Sequence, residues 1–199
     1  MTELFWTVVV PVKGTSSAKS RLGAPAELAD AIALDSVEAT LAASRVQRVV
    51  VVTTEHASTR FTRLGADVVT DTGNGLNAAC RLGVAAAGSG PVAVLLGDIP
   101  SLVPSELDAA LRLAAAHPLA FVPDADGDGT VLITALDGAQ HVPAFGDNSR
   151  SAHLAAAYAE LEFSAASGLR RDVDTAIHLA AIPAAALGPH TRAAVERLT

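Results

Sequence analysis

The stretch Val92–Pro100, with the sequence VAVLLGDIP, constrains the fold more than any other part of the chain. Five uninterrupted apolar residues lead into a glycine and then Asp98. An apolar run this short is typical of a central strand in a parallel sheet covered on both faces. Because open α/β sheets bind ligands outside the carboxyl ends of their strands, we expect Asp98 at the mouth of a ligand crevice. The alternative is that Asp98 only caps the turn before Pro100.

Further apolar runs predict a three-layer α/β sandwich with a mostly parallel central sheet, in one Rossmann-like domain that spans residues 1–199. The alternation of strands with helices up to residue 118 implies parallel pairing with right-handed crossovers. Strands are expected at 7–12, 49–52, 66–70, 119–122 and 131–134, with another starting at Phe163. Helices are expected at about 26–44, 104–117 and 149–160, and another begins within 71–79 and continues to about residue 87. The helix 104–117 is expected to have Leu107, Leu111 and Leu113 facing the core.

Composition excludes several classes of protein. A formal charge of −7 and a pI near 5.2 argue against a nucleic-acid binder. No run approaches the roughly 18 apolar residues that a membrane span requires, and the first residues lack the features of a signal peptide. Cys80 is the single cysteine, so we expect neither disulfides nor a cysteine metal site. The sequence predicts a cytoplasmic protein with no membrane partner.

A basic loop follows the first strand and is the first candidate for chemistry. Lys13, Lys19 and Arg21 fall within nine residues, and Gly14 lets the backbone approach an anion. Three cations at the carboxyl end of a strand suit a polyphosphate. The alternative is an ordinary solvated loop, and the spacing is not that of a Walker loop.

Two glycine-containing segments have both a functional and a structural interpretation. Gly73-Asn74-Gly75-Leu76-Asn77 turns from a strand into a helix, and simple turn geometry explains its glycines as well as ligand binding does. Asp124–Thr130 begins like an EF-hand loop, but Ala135 occupies the twelfth position and the flanks are strand-like. We therefore reject calcium and predict a glycine-rich turn with Thr130 directed into a crevice.

A late Asp-Val-Asp segment supplies candidate metal ligands. Asp172 and Asp174 are two residues apart in an extended segment and are expected on one side of it. Together with Asp98 they could hold a hard divalent cation, because Mg²⁺ is usually bound by one or two carboxylates and by phosphate oxygens. The alternative is that Asp174 caps the following helix, which would leave Asp172 as the better ligand.

Several of these segments, in this order, resemble the guanylyltransferases that make the phosphodiester precursor of the deazaflavin coenzyme F-420. The matching segments are Pro11–Lys13 with Lys19–Leu22, Gly75–Ala79, Gly97–Pro100, Gly127–Thr130, Phe145-Gly146 with Ser149 and His153, and Asp172–Thr175. The sequence departs from many members after the Gly-x-Gly-Thr motif, where Val131 replaces asparagine. This departure leaves the acceptor open. For His153, both orientation of its loop and an ordinary surface position remain open.

The resemblance implies a nucleotide-diphospho-sugar-transferase-like fold and the transfer of GMP from GTP to phosphoenolpyruvate or 2-phospho-L-lactate. It implies that Mg²⁺, or alternatively Mn²⁺, is bound by Asp98 and Asp172, with Asp174 as the other candidate ligand. Lys13, Lys19 and Arg21 would hold the triphosphate and act in catalysis with Asp98. The nucleotide would contact Pro11, Val12, Lys13, Gly75 and Asn77, and the acceptor would contact Thr130, Gly146 and Ser149. The sequence allows a homodimer as one assembly.

Other functions stay open at this point. Related nucleotidyltransferases guanylate a molybdopterin or cytidylylate a sugar-alcohol phosphate, but they typically carry a glycine-rich first loop where this chain has Pro-Val-Lys. A non-catalytic nucleotide sensor on the same fold is the alternative from another class. Its ligand would not require the aspartates that the resemblance assigns to the metal.

Overall fold

The computed structural model describes residues 3–12 and 25–198, and its strands form one seven-stranded sheet. The order across the sheet is β3-β2-β1-β4-β6-β5-β7, so β4 lies at its centre. The strands are β1 (Trp6–Pro11), β2 (Val46–Thr53), β3 (Asp67–Thr70), β4 (Val92–Leu95), β5 (Leu119–Pro123), β6 (Thr130–Ala135) and β7 (Ala159–Glu160).

Helices connect the strands and cover both faces of the sheet. In the described residues the α-helices are α1 (Ala26–Leu41), α2 (Glu55–Leu64), α3 (Leu76–Ala87), α4 (Pro104–Ala114), α5 (Ser149–Ala155), α6 (Ala176–Ala180) and α7 (Pro189–Leu198). Strands β1 to β4 pair in parallel, and β6 runs antiparallel to both of its neighbours. The α/β sandwich with a mostly parallel sheet is thus confirmed. None of the described helices is long and apolar enough to cross a bilayer.

Alternate residues of the central strands enter two separate cores. Val8 and Leu95 belong to the core on one face of the sheet, and Val9 and Val94 to the core on the other. Cys80 lies in the second core with no exposed surface, as expected for a small buried residue. Burial raises the pKa of its thiol to about 12. Because helices cover both faces of the sheet, the ends of the strands are left open to a ligand.

The prediction for Leu113 was wrong, because this side chain is 38% exposed while Leu107 and Leu111 are fully buried. Buried residues of α4 recur at intervals of three or four, which keeps them on one face of the helix. Leu113 is two residues from Leu111 and therefore points away from that face. The helix also ends at Ala114, three residues before the predicted end.

The chain between Ser149 and Phe163 also differs from the prediction. The expected helix 149–160 ends at Ala155, and Ala157 takes a positive φ of 63° that reverses the chain. Residues 159–160 then pair with β5 as β7, and the strand expected from Phe163 is absent from this described segment. The pairing of residues 159–160 with strand β5 overrides the helical propensity of the preceding alanines.

One edge of the sheet collects the residues singled out from the sequence, and we call it the carboxyl edge. Strands β1, β4 and β5 end there, and the reversed strand β6 begins there, since Pro123 pairs with Thr130 and Leu95 with Leu132. Asp98 therefore lies at the carboxyl end of the central strand, as predicted.

Candidate active site

The loop after β4 carries Asp98 across the end of β1. Gly97 fits this approach because a Cβ atom there would lie 3.0 Å from the carbonyl oxygen of Pro11. The backbone N–H of Ile99 donates to Oγ of Ser36 in α1 at 3.0 Å, which fixes the loop from the helix side. Asp98 is half-buried in the resulting position.

Asp172 reaches the same place from a distant part of the chain. The backbone N–H of Val173 donates to the carbonyl oxygen of Asp98 at 2.9 Å, so the Asp-Val-Asp segment lies beside the loop after β4. Burial, followed by the negative charges of Asp98, Asp124 and Asp174, raises the pKa of Asp172 to about 8. The structure thus brings together the three aspartates that the sequence proposed as metal ligands and adds Asp124 to them.

Asp124 is a member of this acidic cluster that sequence reasoning missed. Its segment forms the turn between β5 and β6, which confirms the predicted glycine-rich turn between strands. Oδ1 of Asp124 accepts the N–H of Gly127 at 2.6 Å, and a Cβ atom at Gly129 would collide with the other carboxylate oxygen. The signal available in the sequence was the position of Asp124 directly after a strand, as for Asp98.

The segment after Asp172 corrects one alternative. Asp174 is exposed and does not cap α6, because the hydroxyl of Thr175 accepts the N–H of His178 at 3.2 Å. The β-branched hydroxyl residue occupies the last extended position before the helix, which is where an N-cap acceptor is required. Asp174 is therefore left as a charge beside Asp172 at the carboxyl edge.

The structure brings the predicted acceptor contacts Thr130, Gly146 and Ser149 close together, because Thr130 contacts His153 of the helix that begins at Ser149. Thr130 begins β6 and is 3% exposed, and Ser149 begins α5 and is 2% exposed. The N–H of Ser149 donates to the carbonyl oxygen of Gly146 at 3.1 Å. Gly146 has a φ of 133°, a conformation that disfavours any residue with a side chain, and it is exposed.

His153 contacts both Thr130 and the segment that precedes Gly146. It is fully buried, which excludes the surface position left open by the sequence. Its Nδ1 lies 3.0 Å from Oγ1 of Thr130, and its Nε2 accepts the backbone N–H of Ala144 at 3.2 Å. Burial lowers the pKa of the imidazole to about 4, so the ring is neutral near pH 7.

Asn77 connects the turn before α3 with the segment that carries Gly146. Its Nδ2 donates to the carbonyl oxygen of Phe145 at 2.9 Å, and its Oδ1 accepts the N–H of Phe145 at 2.8 Å. Gly75 directly precedes α3 with a φ of 89°. The pairing of Asn77 with Phe145 had no signal in the sequence, because the two residues are 68 positions apart.

The predicted contacts at the end of β1 are described only in part. Pro11 ends the strand, and the N–H of Val12 donates to the carbonyl oxygen of Val52 at 2.8 Å. Lys13, Lys19 and Arg21 lie outside the described residues.

A second group of metal-ligand residue types occurs among the described residues at Asp35, Glu38 and His190, whose ligand atoms lie within 4.8 Å of one another. Both carboxylate oxygens of Asp35 accept first-turn N–H groups of α7, from His190 at 3.0 Å and Thr191 at 2.7 Å. Nε2 of His190 lies 3.2 Å from Oε1 of Glu38. These contacts fasten α7 to α1, and they satisfy donors that a helix start leaves free.

The fold and the acidic carboxyl edge define a nucleotidyltransferase, and residues 24–176 match the MobA-like NTP transferase domain. The chain is 44% identical over 205 residues to a phosphoenolpyruvate guanylyltransferase from Streptomyces coelicolor, with 97% of each chain covered. It is 48% identical to a protein of the same name from Salinispora arenicola, with 94% of this chain and 91% of that one covered. The chain therefore belongs to the phosphoenolpyruvate guanylyltransferase family.

Solved structures support the fold at lower sequence identity. A nucleotidyl transferase from Methanothermobacter thermautotroptrophicus has a TM-score of 0.65 at 19% identity, with 98% of this chain and 99% of that chain covered. A Mycobacterium tuberculosis protein in complex with manganese has a TM-score of 0.58 at 19% identity, with 90% and 97% covered.

Proposed function

We propose that this nucleotidyltransferase joins GMP from GTP to phosphoenolpyruvate and releases pyrophosphate, which yields the activated precursor for coenzyme F-420 biosynthesis. The observation that carries the proposal is the 44% identity, over 97% of the chain, to a protein named phosphoenolpyruvate guanylyltransferase. The buried cysteine and acidic composition suit an enzyme of the cytoplasm, where we expect the reaction.

We assign Asp98 and Asp172 as the residues that would hold Mg²⁺ or Mn²⁺, with Asp124 and Asp174 adding negative charge. The residues fit a divalent cation because burial and the carboxylates around Asp172 raise its pKa and disfavour its ionised form, and a cation would offset both effects. When bound, the metal would neutralise charge that develops on the phosphates. The manganese complex of the structural neighbour from Mycobacterium tuberculosis is consistent with this assignment.

The proposed reaction requires alignment and charge neutralisation rather than a strong base. A phosphate monoester has a second pKa of about 6 and is therefore already a nucleophile near neutral pH. An acceptor phosphate oxygen forms a bond to the α-phosphorus of GTP, while the bond to the bridging oxygen breaks and pyrophosphate leaves with the electron pair. We assign Lys13, Lys19 and Arg21 to the charge on the triphosphate, and the turn at Gly75 and Asn77 with Pro11 and Val12 to the nucleotide.

We assign Thr130, Gly146 and Ser149 to the carboxylate and phosphate of the acceptor. Val131, where many members of the family have asparagine, is fully buried in the core beneath the sheet. Its side chain therefore has no surface to offer an acceptor. Val131 therefore does not itself distinguish phosphoenolpyruvate from 2-phospho-L-lactate, and the two acceptors are compared in the test.

The test is turnover of the purified protein with GTP and Mg²⁺ and each acceptor in turn. We expect pyrophosphate release and a product mass equal to GMP joined to phosphoenolpyruvate, with the next enzyme of the pathway supplied as a trap for an unstable product. CTP replaces GTP in a parallel series. Turnover only with CTP, or only with 2-phospho-L-lactate, would contradict the proposal in its nucleotide or its acceptor.

Variants test the assignment of the metal. Asp98→Asn and Asp172→Asn should each lower kcat/KM by about a thousandfold, which corresponds to about 4 kcal/mol in the barrier. Asp126→Asn is the matched control, because Asp126 is exposed in the same turn as Asp124 and is not among the charges that shift the pKa of Asp172. Near-normal turnover of both site variants in limiting Mg²⁺ would remove these residues from the metal.

A further inference from the structure

The buried imidazole of His153 lies under the surface that we assign to the acceptor, and aromatic rings surround it. The ring centroids of Phe145 and Tyr158 are each 5.3 Å from that of His153, and the centroid of Phe121 is 6.0 Å away. His153 has no exposed surface. A polar ring in such surroundings must satisfy both of its nitrogens within the protein.

The partners of the two nitrogens determine which one carries the proton. The backbone N–H of Ala144 can only donate, so Nε2 of His153 is an acceptor and carries no hydrogen. In the neutral ring the hydrogen is then on Nδ1, which points at Oγ1 of Thr130 at 3.0 Å. The hydroxyl of Thr130 therefore cannot donate to Nδ1, and its oxygen faces the ring hydrogen, which the backbone of Ser149 also accepts. Its own hydrogen is left to donate to a different oxygen.

We propose that His153 is a positioning residue that makes the Thr130 hydroxyl a hydrogen-bond donor to an ionised oxygen of the acceptor. Through Nε2 the same ring holds the backbone of Ala144, two residues before Gly146. One side chain thus orients two of the three groups assigned to the acceptor. The inference rests on the proposed function, because it takes the acceptor role of Thr130 from it.

This arrangement favours one chemical class of acceptor. A Thr130 hydroxyl that must donate pairs with a carboxylate or phosphate oxygen that carries no hydrogen. A ligand that presents an ammonium or amide nitrogen at the same point would leave two donors facing each other, which costs the full desolvation of both groups. The site would therefore favour a ligand that places an acceptor oxygen at this position, and most strongly an ionised oxygen, as a phosphorylated carboxylic acid does near neutral pH.

The first experiment compares three variants by steady-state kinetics and by calorimetric titration of GTP. His153→Phe keeps a ring among the aromatic neighbours and removes both nitrogens, Thr130→Val removes the hydroxyl, and the third variant combines the two. We expect each single variant to raise the KM for phosphoenolpyruvate about tenfold to a hundredfold, the range for a hydrogen bond to a charged group. The GTP dissociation constant should change by less than about twofold, because neither residue is assigned to the nucleotide.

The double variant separates positioning from general support of the fold. If His153 acts through Thr130, the combined variant should be close to the worse of the two single variants rather than to their product. His153→Asn keeps a donor near the position of Nδ1 and should bring the KM for phosphoenolpyruvate most of the way back to that of the unaltered protein. Additive effects, a parallel loss of GTP binding, or failure of a folded His153→Asn to recover the KM would each overturn the proposal.

A measurement on the unaltered protein keeps the proposal testable if His153→Phe does not fold. Nitrogen-15 NMR of the imidazole rings between about pH 6 and about pH 8 should show His153 neutral with its hydrogen on Nδ1, a state fixed by hydrogen bonding. A hydrogen on Nε2 would overturn the proposal. A ring with the expected hydrogen in a protein that transfers no GMP would instead overturn the proposed function, and with it the acceptor role of Thr130.

Discussion

Replacing Asn77 with alanine should loosen the acceptor side of the site, although the sequence places this residue with the nucleotide. The substitution removes both hydrogen bonds to the backbone of Phe145, at 2.9 and 2.8 Å. At about 0.5 to 1.5 kcal/mol for each bond, we expect the free energy of unfolding to fall by about 1 to 3 kcal/mol. The segment that carries Gly146 then has one fewer side chain to hold it in place.

The kinetic consequence follows from the fraction of molecules in which that segment is ordered. An apparent dissociation constant rises as the binding-competent fraction falls, and about 2 kcal/mol corresponds to at most roughly a 30-fold change. We therefore expect the KM for phosphoenolpyruvate to rise up to that limit. Asn77→Asp should behave similarly, because its carboxylate would face the carbonyl oxygen of Phe145.

The assay combines urea unfolding, the KM for phosphoenolpyruvate and calorimetric titration of GTP. Asn74→Ala is the matched control, since Asn74 is exposed in the same turn and its amide donates to the hydroxyl of Thr72 at 3.1 Å, within the turn itself. A loss of GTP affinity with an unchanged acceptor KM would refute the reasoning and assign Asn77 directly to the nucleotide. Unchanged stability would show that the two hydrogen bonds contribute nothing net.

Three further predictions address other parts of the molecule. Gly129→Ala should destabilise the protein by about 1 to 3 kcal/mol in urea unfolding and lower kcat, because the added methyl group displaces the Asp124 carboxylate; normal stability and turnover would contradict this. The pKa of His153 is about 4 in the folded protein and about 6.5 when unfolded, so the unfolded chain binds more protons between these values. The contribution of His153 to the free energy of unfolding is therefore fully present above about pH 6.5 and falls by up to about 3 kcal/mol as the pH drops to about 4. A His153→Phe variant with the same pH profile of stability would exclude this cause. Lys13→Ala should raise the KM for GTP and lower kcat with little change in the acceptor KM, and normal GTP titration with normal turnover would remove the basic loop from the site.

Strands β1 to β6 could be predicted because each contains a short apolar run with a distinct end. Val92 to Leu95 became the central strand, and Asp98 followed it to the carboxyl edge, because parallel strands buried on both faces leave this signature. The grouping of Asp98 with Asp172 was also accessible, since both are carboxylates of the kind that a hard divalent cation binds. These features depend on local sequence and on the general rule for parallel sheets.

The remaining features depend on contacts between distant residues. Asn77 binds the backbone of Phe145, which is 68 positions away in the sequence. Asp124 joins the acidic cluster because β4 and β5 both pair with β6 and end on the same side of the sheet. The end of α5 is likewise set by tertiary structure, because Tyr158 is buried with its hydroxyl accepting the N–H of Val142 at 2.9 Å. No local propensity encodes these pairings.

Because β6 runs antiparallel to its neighbours, the loops at the two ends of the strands should tolerate changes in length differently. The turn between β5 and β6 lies at the carboxyl edge, so its length is coupled to the spacing of Asp124 and Thr130. The connection 88–91 enters β4 at the opposite edge, where Val92 pairs with the last residue of β6. Variation in loop length across the family should therefore accumulate at that opposite edge. A peptide tag or fused domain inserted there would leave the chemistry of the other edge intact.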